Sequence, residues 1–249
     1  MTAMLLWTPP VRGKRQRSVE IREEIILHTR FLCASVLRGP RTPEPVLEWR
    51  VAAAARGLRK RGARQIVLPE DWNFSDRLGE LRLVSTLPLR SCLAADWVRW
   101  ALIRQGIPAA GARVAVCADT LAGETARTVT ELSLRHRYVL LDLPYGGEEL
   151  CRSLRREYGV SVLLRPGREE LRATDAAVLF APRRESFPTA LPVYDEARPL
   201  PPLSLPPALE EQIPAGVNRE QLLAVLRERG QIRPGGPEGF GLGERLPEG

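Results

Sequence analysis

The fold is decided by residues 113–142, which read RVAVCADTLAGETARTVTELSLRHRYVLLD. The apolar run 113–117 predicts a buried strand, residues 121–135 predict a helix with one apolar face, and residues 137–142 predict a second strand. Strands that alternate with helices of about ten to fifteen residues indicate βαβ units and a parallel sheet. We therefore predict an α/β fold for this part of the chain.

The alternation extends in both directions from this stretch. After it, a helix opens at Gly146-Gly147, and a short polar helix is predicted around Arg168–Ala173. Before it, a helix is predicted over 47–58 and another over 91–105. Further strands are predicted at 4–7, 24–35 (together one or two N-terminal strands), 65–68, 81–85, 160–164 and 175–182.

The turn after the first strand and the end of the second resemble the dinucleotide-binding, or Rossmann, family. In that family G-x-G-x-x-G follows the first strand, and an acidic residue ends the second. The matching positions here are Ala118, Thr120 and Gly123, with Asp119 between the first two, and the acid is Asp142. The resemblance implies that these five residues form a cofactor-binding site and that the cofactor is NAD(P).

Two substitutions in the loop disfavour a bound dinucleotide. Thr120 places a β-branched side chain where the cofactor phosphate needs bare backbone, and Asp119 adds a negative charge beside an anion site. Together they could remove on the order of a few kcal/mol of binding free energy, enough to abolish ordinary NAD affinity. The interpretation that we favour for Asp119 or Thr120 is an N-cap of the following helix.

The order of the predicted elements resembles the shikimate-dehydrogenase family, in which a smaller N-terminal α/β part and a bridging helix precede a Rossmann half. Ala173-Thr174-Asp175 before the fourth strand also resembles dehydrogenases. The resemblance implies a catalytic lysine and aspartate in the N-terminal half. Lys60 lies at a predicted helix end and Lys14 in a basic loop, so we assign no catalytic residue and leave open whether the protein is an enzyme.

The fold class is thus α/β, with a parallel sheet containing a Rossmann-like βαβ half, preceded by a smaller α/β part and followed by a proline-rich C-terminal arm. The predicted organisation is an N-terminal α/β part (1–90), a bridging helix (91–110), a Rossmann-like domain (111–185), a proline-rich linker (186–216), a short helix (217–229) and a disordered tail (230–249).

The net charge of +7 raises the question of nucleic-acid binding. Nearly all the cations are arginines, and the cluster Arg56, Arg59, Lys60, Arg61 and Arg64 falls at a predicted helix end, where cations complement the helix dipole. No aromatic residues are interleaved for base stacking. The sequence therefore favours a solvated basic face over a nucleic-acid partner.

The four cysteines are widely spaced, without a CxxC pair or a Cys/His cluster. This spacing suggests neither a disulfide framework nor a metal site. No apolar run approaches the length that crosses a membrane. We expect no membrane association and take the cytoplasm as the location.

Ligands of an open parallel sheet gather at the carboxyl ends of its strands. A candidate site must therefore lie among the polar residues that follow the predicted strands, where mixed acids and arginines could hold a polar small molecule or form a solvated rim. These residues are Glu70, Asp71, Asp119, Thr120, Asp142, Arg165, Arg183 and Arg184.

Three functional hypotheses follow. The first is a non-catalytic or strongly diverged Rossmann-like protein that acts through a protein partner or an unusual small ligand. The C-terminal helix, with Leu222, Val225 and Leu226 aligned, could dock on such a partner or on its own domain. The second is an NAD(P)-dependent oxidoreductase with a variant phosphate loop, and the third is a nucleic-acid-associated basic protein.

Overall fold

The computed structural model describes residues 1–11, 16–233 and 241–242, which fold into two compact units. The first unit is Met1–Thr86 with Leu205–Arg233, and the second is Leu87–Ser204 with Gly241–Leu242. The predicted bridging helix thus belongs to the second unit, and the chain returns to the first unit within the proline-rich stretch, at Leu205. Lys14 and most of the predicted disordered tail, 230–249, lie outside the described residues.

The elements largely follow the sequence-based predictions. The strand predicted at 113–117 is confirmed, and the helix predicted over 121–135 is two residues shorter at each end. The strands are β1 (Thr2–Thr8), β2 (Val19–Ile26), β3 (Thr29–Leu37), β4 (Gln65–Val67), β5 (Arg82–Leu83), β6 (Arg113–Cys117), β7 (Tyr138–Asp142), β8 (Val162–Leu164), β9 (Ala176–Leu179), β10 (Ala190–Pro192), β11 (Leu203–Ser204) and β12 (Gly241–Leu242). The helices are α1 (Glu44–Lys60), α2 (Leu87–Cys92), α3 (Ala94–Arg104), α4 (Gly123–Ser133), α5 (Gly147–Tyr158), α6 (Arg168–Arg172), α7 (Pro207–Glu210) and α8 (Arg219–Glu228). Across the described ranges no helix combines the length and the hydropathy that crossing a membrane requires.

The sheet of the first unit has the strand order β2-β3-β1-β4-β5. β1 is parallel to β3 and β4, β4 is parallel to β5, and β2 is an antiparallel edge strand. The sequence predicts one or two N-terminal strands here, and the structure has three. Leu27 and His28 adopt left-handed backbone conformations, which turn the segment 19–37 into a hairpin.

Helix α1 covers this sheet through an apolar stripe that repeats at helical spacing. The helix begins directly after Pro43 and has Pro45 in its first turn. Proline is tolerated there because the N–H that it lacks would have no partner within the helix. It ends before Gly62, whose positive φ is a backbone conformation that favours glycine. The buried residues of the stripe are Leu47, Val51, Ala54, Ala55 and Leu58.

Helix α8 is buried within the fold of its own chain. The side chain of Asn218 caps the helix by accepting a hydrogen bond from the Gln221 N–H at 3.0 Å. The Gln221 side chain in turn accepts from the Leu68 N–H at 2.9 Å, next to strand β4. All five residues from Leu222 to Leu226 are buried, with Leu222 and Leu226 at 0% exposure. The apolar stripe is therefore covered within the chain, one of the two alternatives that the sequence leaves open.

The sheet of the second unit is entirely parallel and has the order β10-β9-β6-β7-β8. Counted from the first strand of this sheet, the order is 3-2-1-4-5, which is that of a Rossmann-type fold. The central strands β6, β7 and β9 are almost continuously buried, as expected for a parallel sheet covered on both faces. The α/β fold class and its Rossmann-like sheet are confirmed.

Two consecutive glycines open helix α5 for different reasons. Gly146 has a φ of 82°, the left-handed conformation that side chains disfavour. A Cβ on Gly147 would lie 2.5 Å from Cδ1 of Leu164, so α5 packs closely on strand β8 and the Leu164 side chain would have to move to accept any larger residue there. This pair sets the start of the helix that follows the second strand of the sheet.

The proline-rich stretch predicted as a linker at 186–216 contributes to the second unit. Its residues 190–192 form β10, the edge strand beside β9, and Leu191 and Val193 are 3% and 1% exposed. An edge strand tolerates proline because one of its sides makes no ladder hydrogen bonds, and Pro192 lies at its end. Composition alone therefore did not indicate that this stretch reaches the core. Farther on, β11 pairs with β12 in an antiparallel ladder.

Candidate functional site

Three charged residues meet at the carboxyl edge of the Rossmann-like sheet. Asp119 follows β6, Asp142 ends β7, and Arg183 follows β9. β6 and β9 are neighbours at the point where the strand order reverses, which is where open α/β sheets bind their ligands. We call Arg183, Asp119, Asp142 and the backbone carbonyl of Ala118 the Arg183 cluster.

Each nitrogen of the Arg183 guanidinium donates a hydrogen bond within this cluster. Nη1 donates to Oδ1 of Asp119 at 2.6 Å, Nε donates to Oδ2 of Asp142 at 3.0 Å, and Nη2 donates to the carbonyl of Ala118 at 2.7 Å. The Arg183 side chain is only 13% exposed, whereas Asp142 and Asp119 are 30% and 69% exposed. The guanidinium therefore bridges the loop after β6 and the end of β7, and its donors point to groups of its own chain.

The cluster carries a net negative charge. Burial lowers the pKa of Arg183, and the hydrogen bonds that it donates to Asp119 and Asp142 more than offset this, so the pKa lies above its ordinary value and the guanidinium stays charged. One cation and two carboxylates sum to −1. An anionic ligand at this point would meet a repulsive field.

The residues predicted to bind a cofactor lie at this edge of the sheet or shortly after it. Ala118 and Asp119 form the turn after β6, and Asp142 faces them from β7, in register with Cys117. Thr120 is exposed, and Gly123 is the first residue of α4. The structure brings Ala118, Asp119 and Asp142 together around Arg183.

The predicted N-cap role of Asp119 or Thr120 is wrong. Helix α4 begins at Gly123, its N-cap position is Ala122, and no side chain caps it. The carboxylate of Asp119 instead pairs with Arg183. A short-range capping interaction was the simpler expectation from sequence, but a charged partner from a distant loop forms the stronger hydrogen bond.

Sequence reasoning placed Arg183 on the strand-end rim without identifying its partners. Asp119 and Arg183 are separated by 64 residues in the chain, and Asp142 and Arg183 by 41. The available signal was the strand order. In a 3-2-1-4 sheet the loops after strands one and four are adjacent, so an acid in one and an arginine in the other can pair.

The two histidines, which could also take part in chemistry, lie outside the Arg183 cluster. A ring nitrogen of His136 lies 2.9 Å from the carbonyl of Ala109, and His28 belongs to the hairpin turn of the first unit. Within residues 1–11, 16–233 and 241–242, no group of three or more His, Cys, Asp or Glu side chains is arranged to hold a metal ion.

Cys117 ends β6 directly beneath the cluster and should be chemically inert. Burial, and after it the charge of Asp142, raises the pKa of its thiol to about 12. At pH 8 the reactive thiolate is then only about one ten-thousandth of the population.

We expect iodoacetamide at pH 8 to label the folded protein at Cys151 at least about ten times faster than at Cys117. Burial raises the pKa of the Cys151 thiol as well, but this side chain remains partly exposed. Peptide mass spectrometry after timed labelling measures both rates, and the urea-denatured protein, which exposes both thiols, is the control. Equal rates in the folded protein would contradict the buried position of Cys117.

Comparison with known proteins adds little to this geometry. No protein-family model and no curated protein sequence matches the chain. Among solved structures, the L-tryptophan dehydrogenase from Nostoc punctiforme is similar over 59% of this chain, with 15% sequence identity and a TM-score of 0.28. The chain spans 44% of that protein. The Rossmann-type assignment therefore rests on the strand order and directions of the second unit.

Proposed function

We propose that this chain is a diverged, non-catalytic Rossmann-type protein that acts through a protein partner or an unusual small ligand and does not use NAD(P). The observation that carries the proposal is the Arg183 cluster. In dinucleotide-binding proteins, the loop after the first strand and the acid at the end of the second strand contact the dinucleotide. Here the guanidinium of Arg183 lies at that place and pairs with Asp119 of the loop and with the acid Asp142.

Electrostatics supports this proposal. A dinucleotide brings a pyrophosphate with two negative charges to the turn after the first strand. Here that turn contains Asp119, and the cluster as a whole carries a charge of −1. The Asp142 carboxylate, which would accept hydrogen bonds from a ribose, already accepts one from Arg183. A bound dinucleotide would therefore compete with Arg183 for Asp142 and bring its phosphates close to the Asp119 carboxylate.

Neither His136, which precedes β7 at the amino edge of the sheet, nor the buried Cys117 is available to transfer a proton at the Arg183 cluster, and this supports a non-catalytic role. His136 is 6% exposed and engaged with a backbone carbonyl, and the thiol of Cys117 stays protonated at neutral pH. General acid–base catalysis needs a group whose pKa lies near the working pH and which can reach the ligand. Neither of these two residues meets both conditions.

The second candidate is an NAD(P)-dependent oxidoreductase with a variant phosphate loop. It is favoured by the position of Asp142 at the carboxyl end of the second strand of a 3-2-1-4-5 sheet, which is where the ribose-binding acid of dinucleotide-binding proteins lies. In this candidate the ribose binds the Asp142 carboxylate, of which Arg183 uses only Oδ2.

A thermal-shift and calorimetric titration with NAD and NADP separates the two candidates. We expect 1 mM of either dinucleotide to stabilise the protein by less than about 0.4 kcal/mol, the value for a ligand present at its dissociation constant. Binding that is clear in the native protein and lost in Asp142→Asn would contradict the proposal and support the oxidoreductase.

Substitution of Arg183 gives a second arm of this test. Arg183→Gln removes the central donor and is expected to cost about 1–3 kcal/mol of unfolding free energy, because two carboxylates and a carbonyl lose their partner. It should not create dinucleotide affinity, since the two negative charges are then uncovered. Arg184→Gln, which removes the same charge from an exposed neighbour, is the matched control and should change stability by less than about 0.5 kcal/mol.

A further inference from the structure

A second charged site lies in the first unit, far along the chain from the Arg183 cluster. It is a cavity of about 620 Å³ at the amino ends of β1, β4 and β5. Its lining includes four arginines, Arg59, Arg64, Arg82 and Arg229, and one acid, Glu80. We call it the basic cavity. Its volume falls in the range of sites that hold small molecules.

The four arginines come from four separate parts of the first unit. Arg59 lies in the last turn of α1, Arg64 directly precedes β4, Arg82 begins β5, and Arg229 follows α8. Backbone pairing fixes two of them next to each other, because the Arg82 N–H donates to the Arg64 carbonyl at 3.0 Å. The strand register and the burial of α8 thus assemble the cavity from distant segments.

Favourable interactions with helix dipoles explain the positions of only two of these four arginines. Arg59 and Arg229 lie at the C-terminal ends of α1 and α8, where cations are favourable. Arg64 and Arg82 lie at strand starts and gain no such benefit. Cations held around one cavity repel each other, so their assembly is unfavourable unless an anion compensates them.

Little within the described chain compensates them. Glu80 is 89% exposed, and its contact with Nη1 of Arg59 is long, at 3.7 Å. Nε of Arg59 is buried and makes no hydrogen bond. The guanidiniums of Arg64, Arg82 and Arg229 form no ion pair with any residue in the ranges that the structure describes. Four cations and one acid leave a charge of +3 around the cavity.

We propose that the basic cavity binds a small molecule carrying at least two anionic oxygen groups, phosphates or carboxylates. Guanidinium groups bind both in the same bidentate manner. None of the residues that line the cavity is aromatic, so nothing there would stack on a nucleobase. The basic cavity is independent of the Arg183 cluster, and this inference goes beyond the function proposed from that cluster.

Isothermal titration calorimetry of the full chain at low salt, with inorganic pyrophosphate and citrate as separate probes, tests this inference. We expect at least one probe to bind with a dissociation constant below about 1 mM, and the tighter probe identifies the phosphate or the carboxylate source. Raising the salt concentration should weaken the binding, because the charges are partly exposed. Failure of both probes to bind overturns the proposal.

The variants Arg64→Gln and Arg82→Gln should each weaken the tighter probe by about tenfold or more, the effect of losing one charge-assisted hydrogen bond. Both side chains are exposed, so the variants should melt at the native temperature or above it when no anion is present. The matched control is Arg41→Gln. Arg41 is exposed and follows the carboxyl end of strand β3, whereas the basic cavity lies at the amino ends of its neighbours. This variant should bind the probe within twofold of the native affinity.

An equal loss in the Arg41→Gln control would mean that the probe senses the overall positive charge of the protein, and it would overturn the proposal. A single-stranded oligonucleotide of about twelve residues provides a further arm. If it binds more tightly than either small probe and depends on Arg41 as strongly as on Arg82, the surface is a general polyanion face and the cavity assignment is wrong.

Discussion

Replacing Arg90 by alanine is expected to destabilise the second unit by about 3–5 kcal/mol, the cost of breaking a buried polar arrangement by removing one partner. Arg90 lies in α2 and is 1% exposed, which makes it the largest fully buried side chain in the described chain. Nη1 donates to the carbonyl of Asp195 at 3.0 Å, and Nη2 donates to the carbonyl of Arg198 at 2.6 Å.

Two consequences of the truncation add together. Carbonyls of the proline-rich stretch lose a charged donor, and each buried acceptor without a partner costs about 1–3 kcal/mol. The lost side-chain volume leaves a cavity beside α2 as well. Because Arg90 holds the segment that follows β10, the loss should also loosen the edge of the Rossmann-like sheet.

Urea unfolding followed by far-UV circular dichroism measures the effect. Arg99→Ala is the matched control, because Arg99 is 52% exposed and its ion pair in the described part of the chain is with Asp96 on the same helix, at 3.0 Å. This control should change stability by less than about 1 kcal/mol. Arg90→Lys keeps the charge but not the fork of donors, so its loss should be intermediate. If Arg90→Ala unfolds like the control, the buried position of Arg90 is wrong.

Replacing Leu222 by alanine should cost the first unit about 2–5 kcal/mol, as for other fully buried leucines. Leu222 is 0% exposed, although it belongs to a ten-residue helix that follows the proline-rich stretch. The matched control is Glu228→Ala on the same helix, an exposed position where alanine is also a good helix former. We expect this control to stay within about 0.5 kcal/mol of the native protein.

This experiment also bears on the role of α8. A helix that packs only on a protein partner would leave the isolated chain unchanged when Leu222 is truncated. A large loss of stability in the purified chain would instead mean that a partner must recognise another surface. If Leu222→Ala and the native protein are equally stable in the same urea titration, the result would support the hypothesis that α8 docks on a protein partner.

The Rossmann-like half could be predicted because its information is local. Strands β6, β7 and β9 are apolar runs bounded by turns, and the helices between them carry their apolar side chains at helical spacing. The resemblance to dinucleotide-binding proteins, and not periodicity, directed attention to Ala118, Asp119, Thr120, Gly123 and Asp142. The alternation of strands and helices restricts the sheet to parallel topologies before any contact is known.

The proline-rich stretch shows where local information ends. Eight prolines between 188 and 214 indicate an extended chain, and β10 is extended. Whether an extended segment crosses solvent or completes a sheet depends on a free edge elsewhere in the fold. That edge is β9, and Arg90 holds the residues that follow β10.

The sequence by itself determined the fold class, the alternation of strands and helices from residue 113 to residue 179, and the chemical types available at the strand ends. Only the tertiary structure decided which charges pair. Arg183 pairs with Asp119, which is 64 residues away in the chain. One cavity is likewise lined by Arg59, Arg64, Arg82 and Arg229, although Arg229 follows α8, near the end of the described chain. The physical reason is that secondary structure depends on neighbours within a few turns, whereas ion pairing depends on distances in space that the packing of complete elements sets.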